Sequence, residues 1–298
     1  MAPVPSWRAT IRSRLKLALA LLVALTCIAV AQPGPSTVLS DVVFGAGHGA
    51  KREVALPEPF DNGSPSLFQG AGSDDRCPTF MSKLLSDGTF KNCHALSMLL
   101  QTSTALFEAE KQTVSIVRIL DASCAVDVSA CADYLAQAAE RLRDRAHCRA
   151  ELDEGQPRVV QAWRGLRAYR TLYAASCLQD RGSGVYCFAT SVSNLTDPSD
   201  SYLYFMPLGV ALPGASTPSC TRCTRDIMDI YHDAAANRGD LVADKYADAA
   251  QRINVVCGPA FANATLPGPE SGSAGPRRGV VALAGLIAVG AAAFGLVG

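Results

Sequence analysis

The sequence has no excess of positive charge, and this absence bears on the class of partner. Its 298 residues carry 27 lysines and arginines against 27 aspartates and glutamates. Six of the basic residues lie in residues 1–31 and 272–298, which hold no acidic ones, so residues 32–271 have a net charge of −6. A nucleic-acid-binding domain needs a basic surface to neutralise phosphates. We therefore expect no nucleic-acid partner.

Short catalytic motifs are also missing. The sequence contains no Gly-x-Ser-x-Gly elbow, no His-Glu-x-x-His pair, no phosphate-binding glycine loop and no dinucleotide fingerprint. Carboxylates that are far apart in sequence can still form a site, as they do in polysaccharide hydrolases. The pattern favours a non-enzymatic protein without a cofactor, and it leaves a hydrolase with dispersed carboxylates as an alternative.

The first 31 residues predict a secretory signal peptide. Residues 1–16 contain four positive charges, and residues 17–31 (LALALLVALTCIAVA) form an apolar run. The run ends in small-x-small residues, so cleavage by signal peptidase is expected after Ala31. A membrane-spanning helix needs about 20 apolar residues, which makes an uncleaved anchor the less favoured alternative.

The C-terminal residues predict a signal for a glycosylphosphatidylinositol (GPI) anchor. Residues 279–298 are apolar to the last residue, and a short polar spacer and a cluster of small residues precede them. The candidate attachment residues are Ser271, Gly272 and Ser273, although their spacer is shorter than usual. The alternative is a single-pass helix, but the two arginines precede the run and no basic residue follows it.

The cysteines indicate an oxidising compartment. One of the 11 lies in the signal peptide, and ten remain: Cys77, Cys93, Cys124, Cys131, Cys148, Cys177, Cys187, Cys220, Cys223 and Cys257. An even number in a secreted chain predicts five disulfides, whose pairing the sequence leaves open. Cys220 and Cys223 form a Cys-x-x-Cys pair without the second pair that zinc requires, so a structural role is favoured.

Composition divides the mature chain into three parts. Residues 32–75 are rich in Gly, Pro, Ser and Asp and predict a flexible leader. Residues 76–258 hold all ten cysteines and predict the folded domain, and residues 259–278 predict a Pro/Gly/Ser stalk with the anchor attachment site. Asn194 and Asn263 are the candidate N-glycosylation sites.

Within the folded domain the apolar residues recur mainly with the helical period. Helices are predicted at residues 78–86, 94–110, 114–120, 127–146, 157–178, 219–237 and 241–256. Residues 185–192 and 201–206 are short aromatic or β-branched runs, which predict one hairpin or two extended segments. The fold class is therefore all-α, a bundle-like domain stapled by about five disulfides, with room for a small β-hairpin.

Two charged clusters are candidates for chemistry. Asp226, Asp229 and Asp233 share one helix face near His232, where they could bind a cation, although a solvated face is the simpler interpretation. Eight arginines between residues 141 and 170 could bind an anionic partner, but interleaved acidic residues explain most of their density by pairing along a helix. His94 and His147 each adjoin a cysteine without a third ligand nearby, so no metal site is predicted.

Several short segments form a further pattern. They are residues 77–80 (CPTF), 90–100 (FKNCHALSMLL), 186–188 (YCF), 201–209 (SYLYFMPLG), the Cys220-x-x-Cys223 pair and 253–261 (INVVCGPAF). Together they resemble a family of fungal cell-surface proteins that carry a domain of unknown function. The resemblance covers residues 77–261. It implies a filamentous fungus, a secreted helical domain and frequently a lipid-anchored tail, and it brings no known activity.

These observations favour a non-enzymatic GPI-anchored protein on the extracellular face of the plasma membrane or in the cell wall. Its expected roles are adhesion, wall organisation or ligand binding, with the membrane as one partner and a wall polysaccharide or a surface protein as another. Two alternatives stay open: a wall-glycan-remodelling enzyme and an extracellular subunit of a membrane complex.

Overall fold

Helices make up nearly all the regular structure of the chain. The computed structural model describes residues 55–70, 74–194 and 198–269. The α-helices are α1 Arg76–Ser86, α2 Gly88–Asn92, α3 Leu96–Leu99, α4 Thr104–Glu110, α5 Thr113–Cys124, α6 Val128–Leu142, α7 Arg149–Asp153, α8 Pro157–Ser176, α9 Cys187–Ser193, α10 Arg222–Ala234 and α11 Ala243–Cys257. Two 3-10 helices span Pro65–Phe68 and Pro198–Leu208.

Helix α8 is the central element. Pro157 occupies its first turn, and the Gln156 side chain accepts a hydrogen bond from the Val159 amide at 2.9 Å, so the helix starts at a fixed residue. It packs against α3, α6, α10 and the second 3-10 helix. A Cβ atom at Gly165 would lie 2.8 Å from the Ser97 main-chain oxygen, so only glycine permits the close approach of α3.

The two ends of α8 belong to two apolar cores. Its first half contributes Val159 and Leu166 to a core built with α1, α2 and α6, where Met81 and Leu135 are fully buried. Its second half contributes Leu172 and Ala175 to a core that contains three fully buried tyrosines, Tyr204, Tyr231 and Tyr246. One long helix therefore joins the two halves of the domain.

Five disulfides are distributed over these two halves. Cys77–Cys148 and Cys93–Cys131 lie in the first core, and Cys187–Cys223 and Cys220–Cys257 join residues of the second. Cys124–Cys177 joins the C-terminal ends of α5 and α8, which contribute Leu120 and Ala175 to the second core. The prediction of an all-α domain with five disulfides is confirmed. The two cysteines of the Cys-x-x-Cys pair bond to different partners, which fastens the N-terminus of α10 to both α9 and α11.

The predicted β-hairpin is wrong. Residues 185–192 fall largely in α9, and residues 201–206 lie inside the 3-10 helix Pro198–Leu208. The buried residues of this helix recur every three positions, Leu203 with Met206 and Tyr204 with Pro207. In so short a run this 3-10 period is hard to distinguish from the two-residue alternation of a strand. Extended pairing within the described ranges is limited to one bridge between Gln179 and Tyr186.

The predicted helix at residues 94–110 is two helices. α3 ends at Leu99, and α4 begins after Ser103, whose hydroxyl accepts from the Leu106 amide at 3.2 Å. Asp61 reaches the same turn from outside, accepting from the Ser103 hydroxyl at 2.7 Å and the Ala105 amide at 2.8 Å. These caps start a new helix inside one apolar period.

The folded domain extends beyond the predicted boundaries at both ends. Phe60 and Phe68, from the predicted leader, are buried with ring centroids 4.9 Å apart, and the Leu67 main-chain oxygen accepts from the Gln156 side chain. At the other end, Phe261 and Ala262 of the predicted stalk are buried against α11. The domain therefore includes residues 55–70 and 259–269.

Three predictions lie outside the described residues. They are the signal peptide with its cleavage site at Ala31, the candidate attachment residues Ser271, Gly272 and Ser273, and the apolar tail 279–298. In the described ranges, no helix combines the length and the apolar composition that a membrane crossing requires. The five disulfides indicate an oxidising, secretory environment.

Candidate functional site

A groove of about 690 Å³ lies between α6 and α8 and ends at the loop that follows α10. We call it the α6–α8 groove. Its apolar floor is formed by Ala132, Ala136 and Leu166. Its polar walls are formed by Gln137, Glu140, Arg141, Arg167, Arg170, Thr171, Asn237 and Asp240.

Helical spacing places these side chains in the groove. Gln137 and Arg141 are four residues apart on α6, and Arg167 and Thr171 are four apart on α8, so each pair lies on one helix face. Asn237 and Asp240 come from the loop between α10 and α11, which reaches the groove only through tertiary packing. The groove therefore combines two sequence-local faces with one distant loop.

Arg167 holds this loop against α8. Its Nη2 atom donates to the main-chain oxygen of Gly239 at 2.5 Å, and its Nη1 atom lies 3.6 Å from Glu140 Oε1. The guanidinium also lies 5.7 Å from the centroid of the Trp163 ring. Arg167 thus bridges α6, α8 and the loop, and it shapes one wall.

Asp240 is a largely buried carboxyl group in the same wall. Its Oδ2 atom accepts from the Thr171 hydroxyl at 2.7 Å, and its Oδ1 atom accepts from the Val242 amide at 3.1 Å. Burial raises the pKa of Asp240, and these hydrogen bonds and the nearby Arg167 only partly oppose that rise. The groove therefore offers a carboxyl group that holds its proton to higher pH than an ordinary aspartate.

Arg170 and Tyr169 form fewer polar interactions than Arg167 and Asp240 do. Arg170 is exposed at the rim, and its Nη2 atom lies 3.9 Å from Asp133 Oδ1, a distance too long for a strong ion pair. Tyr169 is buried beneath the groove, and its hydroxyl has no hydrogen-bond partner among the described residues. Burial raises the pKa of Tyr169 to about 12, so its hydroxyl stays neutral.

Two smaller cavities adjoin the groove. Arg141 also lines a cavity of about 220 Å³ with Tyr134 and Asp87. That cavity shares Phe80, Lys83 and His147 with a third one of about 510 Å³ at the start of α1. The Phe80 and His147 rings are in contact, with centroids 4.5 Å apart and ring planes tilted by 43°, and His147 Nδ1 donates to the Arg141 main-chain oxygen at 2.9 Å.

The predicted acidic face of α10 is on the surface of the domain. Asp229 and Asp233 are exposed, and Asp226 is half-buried. His232 contacts the Thr265 main-chain oxygen at 3.0 Å and the Asn263 amide at 3.1 Å, and its Nδ1 atom lies 3.6 Å from Asp233 Oδ1. The part of the chain that the structure describes holds no group of three or more His, Cys, Asp or Glu residues arranged for a metal ion.

The eight arginines between residues 141 and 170 have different surroundings in the structure. Arg141, Arg167 and Arg170 line the α6–α8 groove. Arg143 and Arg149 form ion pairs along a helix, with Glu140 at 3.5 Å and Asp153 at 2.7 Å, as expected from their spacing. Sequence reasoning considered these arginines as candidates for an anionic partner and favoured pairing along a helix instead. It missed Asp240, Thr171 and Asn237, which come together only because the loop after α10 docks against α8.

The two candidate glycosylation sites differ in their surroundings. Asn263 is exposed, and its Oδ1 atom accepts from the Thr265 amide at 3.0 Å. Asn194 is half-buried at the end of α9, and the rest of its sequon lies outside the described residues.

Comparison with known proteins gives a single family. No curated protein and no solved structure is significantly similar to the chain. A family model does match, over residues 55–266, which are the residues that form the helical domain and the groove. The same span contains all five disulfides. The chain therefore belongs to the family of the domain of unknown function DUF7729.

Proposed function

We propose that this chain is a non-enzymatic, GPI-anchored protein of the fungal cell surface that binds a wall polysaccharide in the α6–α8 groove. The disulfides support the secretory route, and the apolar C-terminal residues with the preceding small residues support the anchor. The resemblance to fungal surface proteins supports the compartment.

The composition of the groove walls carries the proposal. A sugar presents hydroxyl groups that both donate and accept, so its site needs donors and acceptors at fixed positions. Arg141 and Arg170 supply donors, Glu140 supplies an acceptor, and the Gln137 and Asn237 amides supply both. The apolar floor provides a surface for the C–H faces of a sugar ring.

The course of the C-terminal residues supports display at the membrane. Arg238 Nη2 donates to the Pro267 main-chain oxygen at 2.6 Å, so the chain leaves the domain beside the loop that carries Asn237 and Asp240. The candidate attachment residues 271–273 come only two to four positions after Pro269, where the description ends. At about 3.3–3.6 Å per extended residue, an anchor there holds the groove close to the membrane.

The anchor is tested by treating cells with a phosphatidylinositol-specific phospholipase and measuring the intact mass of the released protein. We expect a chain that begins at Gln32, ends within residues 271–273 and is ten hydrogens lighter than its reduced form. Retention of the whole apolar tail in the membrane fraction would contradict the anchor and favour a spanning helix.

The binding site is tested by calorimetric titration of the full-length protein, purified with its disulfides intact, with oligosaccharides of glucan, chitin and mannan. Arg170→Ala should weaken binding by about tenfold, the loss of roughly one hydrogen bond from a charged group. Arg145→Ala removes an exposed arginine outside the groove and is the matched control. Equal affinity of the Arg170→Ala variant and the wild type would remove the groove from the proposal.

A second candidate function is favoured by the two carboxyl groups of the groove. Glycan-cleaving enzymes place an acid that retains its proton opposite an ionised carboxylate. The buried Asp240 fits the acid, and the exposed Glu140 fits the carboxylate. In this case the wild type should release shorter products from wall glycans, and both Asp240→Asn and Glu140→Gln should abolish the release while binding persists.

A further inference from the structure

The α6–α8 groove and the two smaller cavities form a series in which each cavity shares lining residues with the next. Arg141 lines both the groove and the 220 Å³ cavity, and Phe80, Lys83 and His147 line both that cavity and the 510 Å³ cavity. Neighbouring helices pack with axes about 8–10 Å apart, so a path across α1, α6 and α8 is about 20 Å long. The three cavities therefore follow one another across α1, α6 and α8, and we call this series the depression.

The far section differs chemically from the groove. Its wall contains the tilted ring pair Phe80–His147, and exposed Lys83 and Arg76 lie at its rim. An aromatic face attracts the C–H face of a sugar ring and excludes water from it. The groove combines an apolar floor with amides, arginines and carboxyl groups, so the far section adds an exposed aromatic ring pair to these contacts.

From this continuity we infer that the ligand is a linear polysaccharide that lies across α1, α6 and α8 with several consecutive sugar units in contact. The inference rests on the proposed function and specifies its ligand. A monosaccharide would fill one section only, whereas a chain fills the groove, passes Arg141 and reaches the Phe80–His147 pair.

The charge of the depression favours a glycan over other polymers. The cations Lys83, Arg141, Arg167 and Arg170 alternate with the carboxyl groups Asp87, Glu140 and Asp240, so no long stretch of one sign is available for a nucleic acid or a strongly charged peptide. Asp87 Oδ1 already accepts hydrogen bonds from the Thr89 and Phe90 amides at 2.8 and 3.1 Å, which fixes this carboxyl group before a ligand arrives.

The test is the dependence of affinity on chain length. The full-length protein is titrated with di-, tetra- and hexasaccharides of whichever wall glycan binds. We expect affinity to rise by at least about tenfold from the disaccharide to the hexasaccharide. Phe80→Ala should remove this gain and leave the disaccharide affinity unchanged.

Lys83→Ala provides a second variant, because Lys83 is exposed and its removal leaves the core intact, and Lys111→Ala is the matched lysine control. Equal affinities for all chain lengths would overturn the extended site and leave a compact glycan site in place. Binding of an uncharged, extended peptide as tightly as the hexasaccharide would overturn the assignment to a glycan. The absence of binding to any oligosaccharide would overturn the proposed function itself.

Discussion

The Tyr246 hydroxyl donates a hydrogen bond to the main-chain oxygen of Asn263 at 2.6 Å, 17 residues further along the chain. Next to it, Asn254 donates to the Ala262 main-chain oxygen and accepts from the Ala262 amide, both at 2.8 Å. Residues 259–267 are therefore a strap that is bonded across α10 and α11, and this part of the predicted stalk belongs to the domain.

The strap should contribute to the stability of the domain. Tyr246→Phe keeps the buried ring but leaves the Asn263 oxygen without its donor, so it should lower the free energy of unfolding by about 1–2 kcal/mol. Urea denaturation monitored by circular dichroism measures this change. Tyr202→Phe, at a partly exposed tyrosine, is the matched control and should have no effect.

The disulfide pairing predicts which cysteine-containing peptides stay linked after digestion without reduction. Peptide mapping without reduction should find Cys220 linked to Cys257 and Cys187 linked to Cys223. The double variant Cys220→Ala, Cys257→Ala opens a loop of 37 residues and should lose up to about 4 kcal/mol of stability. A peptide in which Cys220 is linked to Cys223 would contradict this connectivity.

Asp61 should stabilise the domain only where it is ionised. Burial raises its pKa, but hydrogen bonds from Ala105, Ser103 and Thr104 outweigh burial and lower the pKa below the ordinary value. The contribution is therefore present above about pH 3.9, the ordinary carboxyl value, and is lost as the pH falls through the lowered pKa.

At neutral pH, Asp61→Ala should lower the free energy of unfolding by about 1–2 kcal/mol. The matched control is Asp75→Ala, because Asp75 precedes α1 without a side-chain capping bond. If both variants lose equal stability, the bonds from Asp61 to α4 are not the cause.

Glu110 should make the domain less stable at higher pH. Burial raises its pKa to about 7, so the folded chain holds a proton that the unfolded chain releases at about 4.3. The free energy of unfolding therefore falls as the pH rises between these values and levels off above pH 7. Glu110→Gln should remove this slope, whereas Glu108→Gln, which alters an exposed ion pair, should keep it.

Much of the fold was accessible from sequence, because helical period and cysteine count are local signals. Asp127 caps the start of α6, and Pro157 occupies the first turn of α8. Both helices were predicted within a few residues of their ends. The predicted extended conformation of the segment around Tyr204 was wrong, since the 3-10 period and the strand period are hard to distinguish in six residues. Phe60 and Phe68 were missed because two aromatic residues among Pro, Gly and Ser carry no periodicity.

The site was less accessible than the fold. The sequence shows the groove arginines, but pairing along a helix also explains them. Only the structure shows that Arg167 and Arg170 line the groove, whereas Arg143 and Arg149 form ion pairs along a helix. Asp240 has no local signal, because its burial depends on Thr171, 69 residues earlier in the chain. The acidic face of α10 had the clearer pattern and proved to be solvent-exposed.

Hydrogen–deuterium exchange of the full-length protein, with and without a saturating wall hexasaccharide, tests the central claim that a glycan binds in the α6–α8 groove. We predict slower exchange in the second half of α6, in α8 around residues 166–171 and in the loop of residues 235–242. The exposed face of α10 with Asp229 and Asp233 should not change. Protection confined to that face, or no protection in α6 and α8, would contradict the account.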